Sequence, residues 1–125
     1  MKIDNIYVIE NNKFGKAIAA WAEDKRIQVT FTIQKKNDLS EIVDGVVLFH
    51  ENHDFSKEDL EIEQSLDKKN IAIHKVDING TLVATNSNFN MWLDRNRPSN
   101  LLILGDDNIS ENVNLDKFLK GIDGQ

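Results

Sequence analysis

The chain has 125 residues, with 15 basic and 21 acidic side chains, a net charge of −6 and no cysteine. That length suits one domain with a real core, and the missing thiols exclude a disulfide frame, a thiolate nucleophile and a zinc–thiolate site. The acidic balance works against non-specific nucleic-acid binding and against docking on an anionic membrane, since both draw on basic surface.

Residues 1–5 carry no apolar core or small-residue cleavage site, and no stretch nears the roughly 20 apolar residues of a spanning helix, so a cytoplasmic setting is expected. Residues 6–9, Ile-Tyr-Val-Ile, form an unbroken apolar run rich in β-branched residues, the pattern of a strand covered on both faces. Phe14, Ala17, Ile18 and Trp21 then fall at i, i+3, i+4 and i+7, one face of an α-helix. Asn11 or Asn12 is the predicted N-cap, because its side-chain oxygen can take an otherwise unpaired helix N–H. Residues 27–33 alternate apolar with polar, which predicts a strand near a sheet edge. Gln34, Lys35 and Lys36 read as a solvated turn, and residues 39–43 as a short helical turn.

Residues 45–49, Gly-Val-Val-Leu-Phe, are the second continuous apolar run and predict a central strand. His50-Glu51-Asn52-His53-Asp54 follows. Its spacing is not a strong ligand pattern, so it reads as a hydrated loop, and no metal site is assigned. Ser56 is placed to cap a helix, with Asp59 at the third helical position and Phe55 positioned to staple against Leu60. Early acids and late lysines in that helix suit its dipole, and Asn70 ends it. Residues 71–78 predict a further strand. Asn79-Gly80 and the β-type run 81–85 predict an antiparallel hairpin, because both turn residues tolerate positive φ. The second strand of that hairpin would be an open edge able to pair with another chain. Asn86 or Ser87 is expected to cap a helix carrying Phe89, Trp92 and Leu93, and Arg97 is expected to be extended before Pro98. Residues 101–104 are a third buried strand, ended by Gly105-Asp106-Asp107. Leu115, Phe118, Leu119 and Ile122 mark a final amphipathic helix.

Alternating strands and helices predict a single α/β domain over residues 1–125: a three-layer sandwich with a mostly parallel sheet, Rossmann-like or flavodoxin-like, and a late β-hairpin. Ligands in such folds bind beyond the carboxyl ends of the strands. The residues expected there are Glu10, Asn11, Asn12, His50, Glu51, Asp77, Asp106 and Asp107. That rim is acidic. It suits a divalent metal or a cationic partner better than a phosphate, for which Lys13 and Lys16 are the obvious counter-charges. Acids are also common where strands end simply because they form soluble turns.

The frame of residues 8–19, Val-Ile-Glu-Asn-Asn-Lys-Phe-Gly-Lys-Ala-Ile-Ala, is similar in spacing to the opening of Rossmann dinucleotide-binding domains. Gly15 matches the third glycine of that pattern, while Glu10 and Asn12 stand at the first two. The resemblance implies a nucleotide-binding corner formed by Asn11, Asn12, Lys13 and Gly15. A second stretch, residues 44–73, resembles the middle of TIR domains and nucleoside deoxyribosyltransferases. That resemblance implies Glu61 as a catalytic carboxylate at an anomeric carbon, with Ser65 as the small residue after it.

These readings converge on a non-catalytic binding or interaction module with a degenerate nucleotide-binding corner. A ribosyl-transfer enzyme using Glu61 and a nucleotide binder at the first strand–helix turn are the alternatives. No particular cofactor follows from the sequence. A second copy of the chain or a protein partner is expected ahead of nucleic acid or membrane.

Overall fold

A computed structural model describes residues 3–10, 12–32 and 39–123. Asn11 and the run Gln34, Lys35, Lys36 lie outside the described residues. The elements are β1 (Asn5–Ile9), α1 (Lys13–Asp24), β2 (Gln28–Thr32), α2 (Leu39–Ile42), β3 (Gly45–His50), α3 (Lys57–Asp67), β4 (Ala72–Asp77), α4 (Leu82–Asn96), β5 (Asn100–Leu104), a 3₁₀ turn (Asp107–Glu111) and α5 (Val113–Asp123). The strands form one sheet in the order β2-β1-β5-β3-β4, and every pairing is parallel.

Strand composition matches position. β3 lies between β5 and β4, and all of its residues are buried, as its unbroken apolar run requires. β2 borders the sheet and leaves Gln28 and Phe31 exposed. One face of the sheet packs Ile6, Val8, Val47, Phe49, Leu101 and Ile103 against residues of α1, α4 and α5. The other packs Ile9, Val46, Leu48, Leu102 and Leu104 against α2 and α3. The division follows from the direction of travel. The β1→β2 and β4→β5 crossovers run one way along the sheet, while β2→β3 and β3→β4 run the other. Right-handed crossovers therefore place their helices on opposite faces. Among the described residues no helix is long and apolar enough to cross a membrane.

Helix ends follow local chemistry. Asn12 caps α1, its Oδ1 accepting the Gly15 N–H at 2.6 Å. Phe14 and Ile18 are fully buried, with Ala17 and Trp21 packed at the margin of the same cluster. Ser56 caps α3, its Oγ accepting the Asp59 N–H at 3.1 Å. Beyond α3 the chain turns at Asn70, whose φ of 62° is left-handed, a conformation Asn tolerates better than most residues.

Three expectations are corrected. The late β-hairpin is absent. Neither Asn79 nor Gly80 takes the positive φ that a two-residue hairpin turn needs. Asp77 instead folds the turn locally, its Oδ1 accepting the Asn79 N–H at 3.0 Å and its carbonyl the Gly80 N–H at 3.1 Å. The run after it becomes the first turn of α4, with Leu82 packed against the core and Val83 exposed. Leu82 is in helical phase with Phe89, Trp92 and Leu93, and that longer period outweighs the local β propensity. The sheet is accordingly all-parallel. Its open borders are β2 and β4, and residues 81–85 offer no strand edge. The cap of α4 is Thr81, ahead of the expected Asn86 or Ser87. Arg97 is left-handed at φ 45° and ψ 56°, because it closes α4 by donating its N–H to the Leu93 carbonyl at 2.8 Å.

Candidate functional site

α1 leaves β1 toward one face of the sheet and α3 leaves the β3 side toward the other. Between them the chain emerges from β5. Helices diverging in this way open a crevice above the carboxyl ends of the strands, the general ligand position of doubly wound sheets. Here the crevice is a cleft of about 510 Å³ lined by Ile9, Glu10, Asn12, Ser56, Glu58, Asp59, Asp106, Asp107 and Asn108. Its contributors are thus the end of β1, the caps of α1 and α3, and the chain just past β5.

The helix corner on the α1 side satisfies itself. Asn12 accepts from Gly15 and donates through Nδ2 to the Gly105 carbonyl at 3.3 Å. The Asp107 carboxylate accepts the Lys13 N–H at 2.8 Å. Two of the first three N–H groups of α1 are therefore taken by side chains of the protein. An aspartate stands where an incoming anion would meet the helix end. Gly15 lies hard against the strand. A Cβ there would come 2.7 Å from the Ile9 carbonyl oxygen, a backbone atom with nowhere to go. Gly15→Ala is expected to destabilise the protein by about 1–2 kcal/mol in urea unfolding, since overpacking of about 1–3 kcal/mol exceeds the gain of about 1 kcal/mol in helix propensity.

The α3 side carries the unusual group. Asp59 is buried, at 7% exposure, in the wall of the cleft. Burial pushes its carboxyl up to about 6, and the Asp106 charge adds to the rise. Ser56 opposes it through a hydrogen bond, while a hydrogen bond with Asp106 and the charge of Glu58 reinforce it. With Glu10 and Asp107 the cleft presents five carboxyl groups and no lysine or arginine side chain among its lining residues. Among the described residues no three His, Cys, Asp or Glu side chains are grouped so as to hold a metal ion.

Of the expected site residues, Asn12 lines the cleft and Gly15 sits beneath it. Lys13 contributes its backbone N–H to Asp107 while its side chain is exposed. Glu61 is exposed on α3 and is not among the cleft residues. The carboxylate that α3 turns into the cleft is Asp59, two positions earlier and some 200° away around the helix. Sequence reasoning noted Asp59 only as a residue of the first helical turn. The Ser56 cap carried the missing signal, because a capped first turn directly after a central strand lies at the carboxyl edge of the sheet. Of the expected acidic rim, Glu10, Asp106 and Asp107 meet at the cleft. Glu51 accepts from Asn108 at 2.6 Å and Asn112 at 2.7 Å, tying the loop after β3 to the 3₁₀ turn.

Fold and cleft together define a doubly wound, all-parallel α/β domain with an open acidic crevice at the point where its helices change face. No protein-family profile and no curated protein sequence matches the chain. The chain is similar in structure to the crystal structure of a "putative molybdenum carrier protein" from Syntrophus aciditrophicus, with a TM-score of 0.75, 11% identity, and coverage of 96% of this chain and 94% of that one. At that identity the likeness establishes the shared parallel α/β fold.

Proposed function

We propose that this protein is a non-catalytic binding module whose cleft takes a small ligand carrying positive charge or clustered hydrogen-bond donors, recognised by Asp59 and Asp106. The observation that carries the reading is a buried carboxyl kept beside a second one in a concave site. A group held so far from its ordinary protonation range is a functional-site candidate, because the fold would be more stable without it. The volume of about 510 Å³ suits a small organic molecule. An ammonium, guanidinium or amidine edge would relieve the crowding of charge that raises the Asp59 carboxyl.

The same charges disfavour oxyanions. Molybdenum in water travels as a dianion, and the lining residues supply acids where such a cargo would need cations. Nucleotide binding at Asn11, Asn12, Lys13 and Gly15 is the second reading, supported by the close strand–helix contact at Gly15. It requires Asp107 to withdraw from the Lys13 N–H so that phosphate can enter. Ribosyl transfer through Glu61 lacks a comparable support. A cytoplasmic setting, and a small molecule or protein as partner ahead of nucleic acid or membrane, belong to the same proposal, in keeping with the charge of −6.

Thermal-shift measurements at pH 7.5 with diamines, alkylguanidinium compounds, nucleosides, NAD and molybdate test the reading. A cationic or donor-rich compound at a hundred-fold excess over its Kd should raise Tm on the order of 10 °C. Asp59→Asn should remove that rise. Stabilisation by NAD or molybdate that survives Asp59→Asn, with no response to the cationic compounds, would transfer the function to the α1 corner.

A further inference from the structure

The chain between β3 and α3 is organised by one imidazole. His50, the last residue of β3, is 3% exposed. Its Nδ1 accepts the backbone N–H of His53 at 2.9 Å, so this nitrogen carries no proton while the contact stands. Asn52 and His53 both take left-handed backbone conformations, with φ of 53° and 67°. Residues other than glycine stay there when surrounding contacts hold them. The His53 ring stacks on His50 at 5.0 Å, and Phe55 packs against His50 at 4.6 Å between ring centroids. The Asn52 N–H is held by Asp77 Oδ1 at 3.2 Å. The segment leads straight into Ser56, a wall of the cleft, and Glu51 grips Asn108, another of its walls.

We propose that residues 51–55 form a proton-released latch on the cleft: neutral His50 holds the segment in place, and protonation of His50 lets it go. A proton arriving at Nδ1 turns the acceptor into a donor aimed at another donor. The hydrogen bond is lost, and with it a principal restraint on the two left-handed residues. The groups facing His50 set how readily this occurs. Burial lowers its pKa most, Asp77 on β4 raises it, and His53 on the segment and Lys75 on β4 lower it. The latch therefore holds at neutral pH and opens only in acid. The consequence for ligand retention rests on the binding role given to the cleft, whereas the latch itself does not.

Heteronuclear NMR on the whole chain from pH 8 to pH 5 tests this. The His53 amide, corrected for intrinsic exchange, should lose at least ten-fold of its protection, with the midpoint of the His50 ring. The Ser56 amide shift should follow that midpoint. In His50→Asn the side-chain oxygen can take the place of Nδ1 and accept at every pH. The response at His53 should then vanish, and that of Ser56 should shrink to what the titration of Asp59 beside it produces. Undiminished protection of His53 at pH 5, or an unchanged response in His50→Asn, overturns the latch. Should that variant not fold, differing midpoints for the His50 ring and the His53 amide in the native chain overturn it equally. A Ser56 amide that ignores the His50 midpoint also overturns the link to the cleft, yet leaves the binding reading intact. Failure of every ligand in the thermal screen would do the reverse, removing the binding reading without touching the His53 result.

Discussion

Asp59→Asn is expected to raise the unfolding free energy by roughly 2 kcal/mol at pH 8 and to leave it nearly unchanged at pH 4. The carboxyl titrates near 6 in the folded protein because it is buried beside Asp106. In the unfolded chain it titrates near the ordinary aspartate value of about 4. Between those limits the folded state holds more protons than the unfolded one, so stability falls as pH rises through that window. Above it the whole penalty is present, about 3 kcal/mol for a displacement of this size. Asparagine has the same shape and no charge. It gives up an acid in the first turn of α3, which returns about 0.3–1 kcal/mol through the helix dipole. The burial effect is the larger, so the sign is a gain. Urea unfolding at pH 4, 6 and 8 checks it. A gain of equal size at all three values would mean that ionisation of Asp59 is not its origin. Paired with loss of ligand response, the result has the signature of a residue retained for binding at the expense of stability.

Phe14→Ala is expected to lower stability by about 3–5 kcal/mol, the range for removing a fully buried aromatic ring. Phe14 is 1% exposed and packs on Phe49 at 5.2 Å between ring centroids. It also occupies the space that a side chain at position 105 would need. A Cβ on Gly105 would meet three Phe14 ring carbons at 2.8–2.9 Å. Gly105→Ala alone is therefore expected to cost about 1–3 kcal/mol by overpacking, and close to nothing when Phe14 is already alanine. The double-mutant cycle measures that coupling. Additive losses would show that the ring yields to the new methyl without strain. This contact matters to the site because it seats the α1 cap against the chain leaving β5, and both line the cleft.

Much of the fold was legible in local pattern, and the particular residues say why. The unbroken apolar run at 45–49 predicts a central strand, and β3 is buried throughout. Asn12, one of the two cap candidates for α1, and Ser56 mark their helices, because a capping side chain acts within three residues of itself. Gly15, matched in spacing to the third glycine of a dinucleotide-binding turn, lies against the Ile9 carbonyl, where a side chain would not fit. The turn at Asn79-Gly80 leads into α4 and not into the hairpin that its residues predict. A hairpin and a helix start share those residues, and the choice belongs to β5, which must come back parallel across the sheet and needs a crossover to do so.

The amino-acid sequence by itself determined the strand and helix periods, the caps, and the acidic chemistry at the strand ends. All of these are written in spacings of a few residues. Tertiary structure alone decided the strand order, the face each helix covers, and hence that Asp59 turns into a cleft with Asp106 while Glu61 faces water. These are matters of long-range closure: residues 59 and 106 become neighbours only once β5 inserts between β1 and β3. No local spacing encodes that insertion, because it is settled by which apolar faces pack best when the whole sheet is assembled.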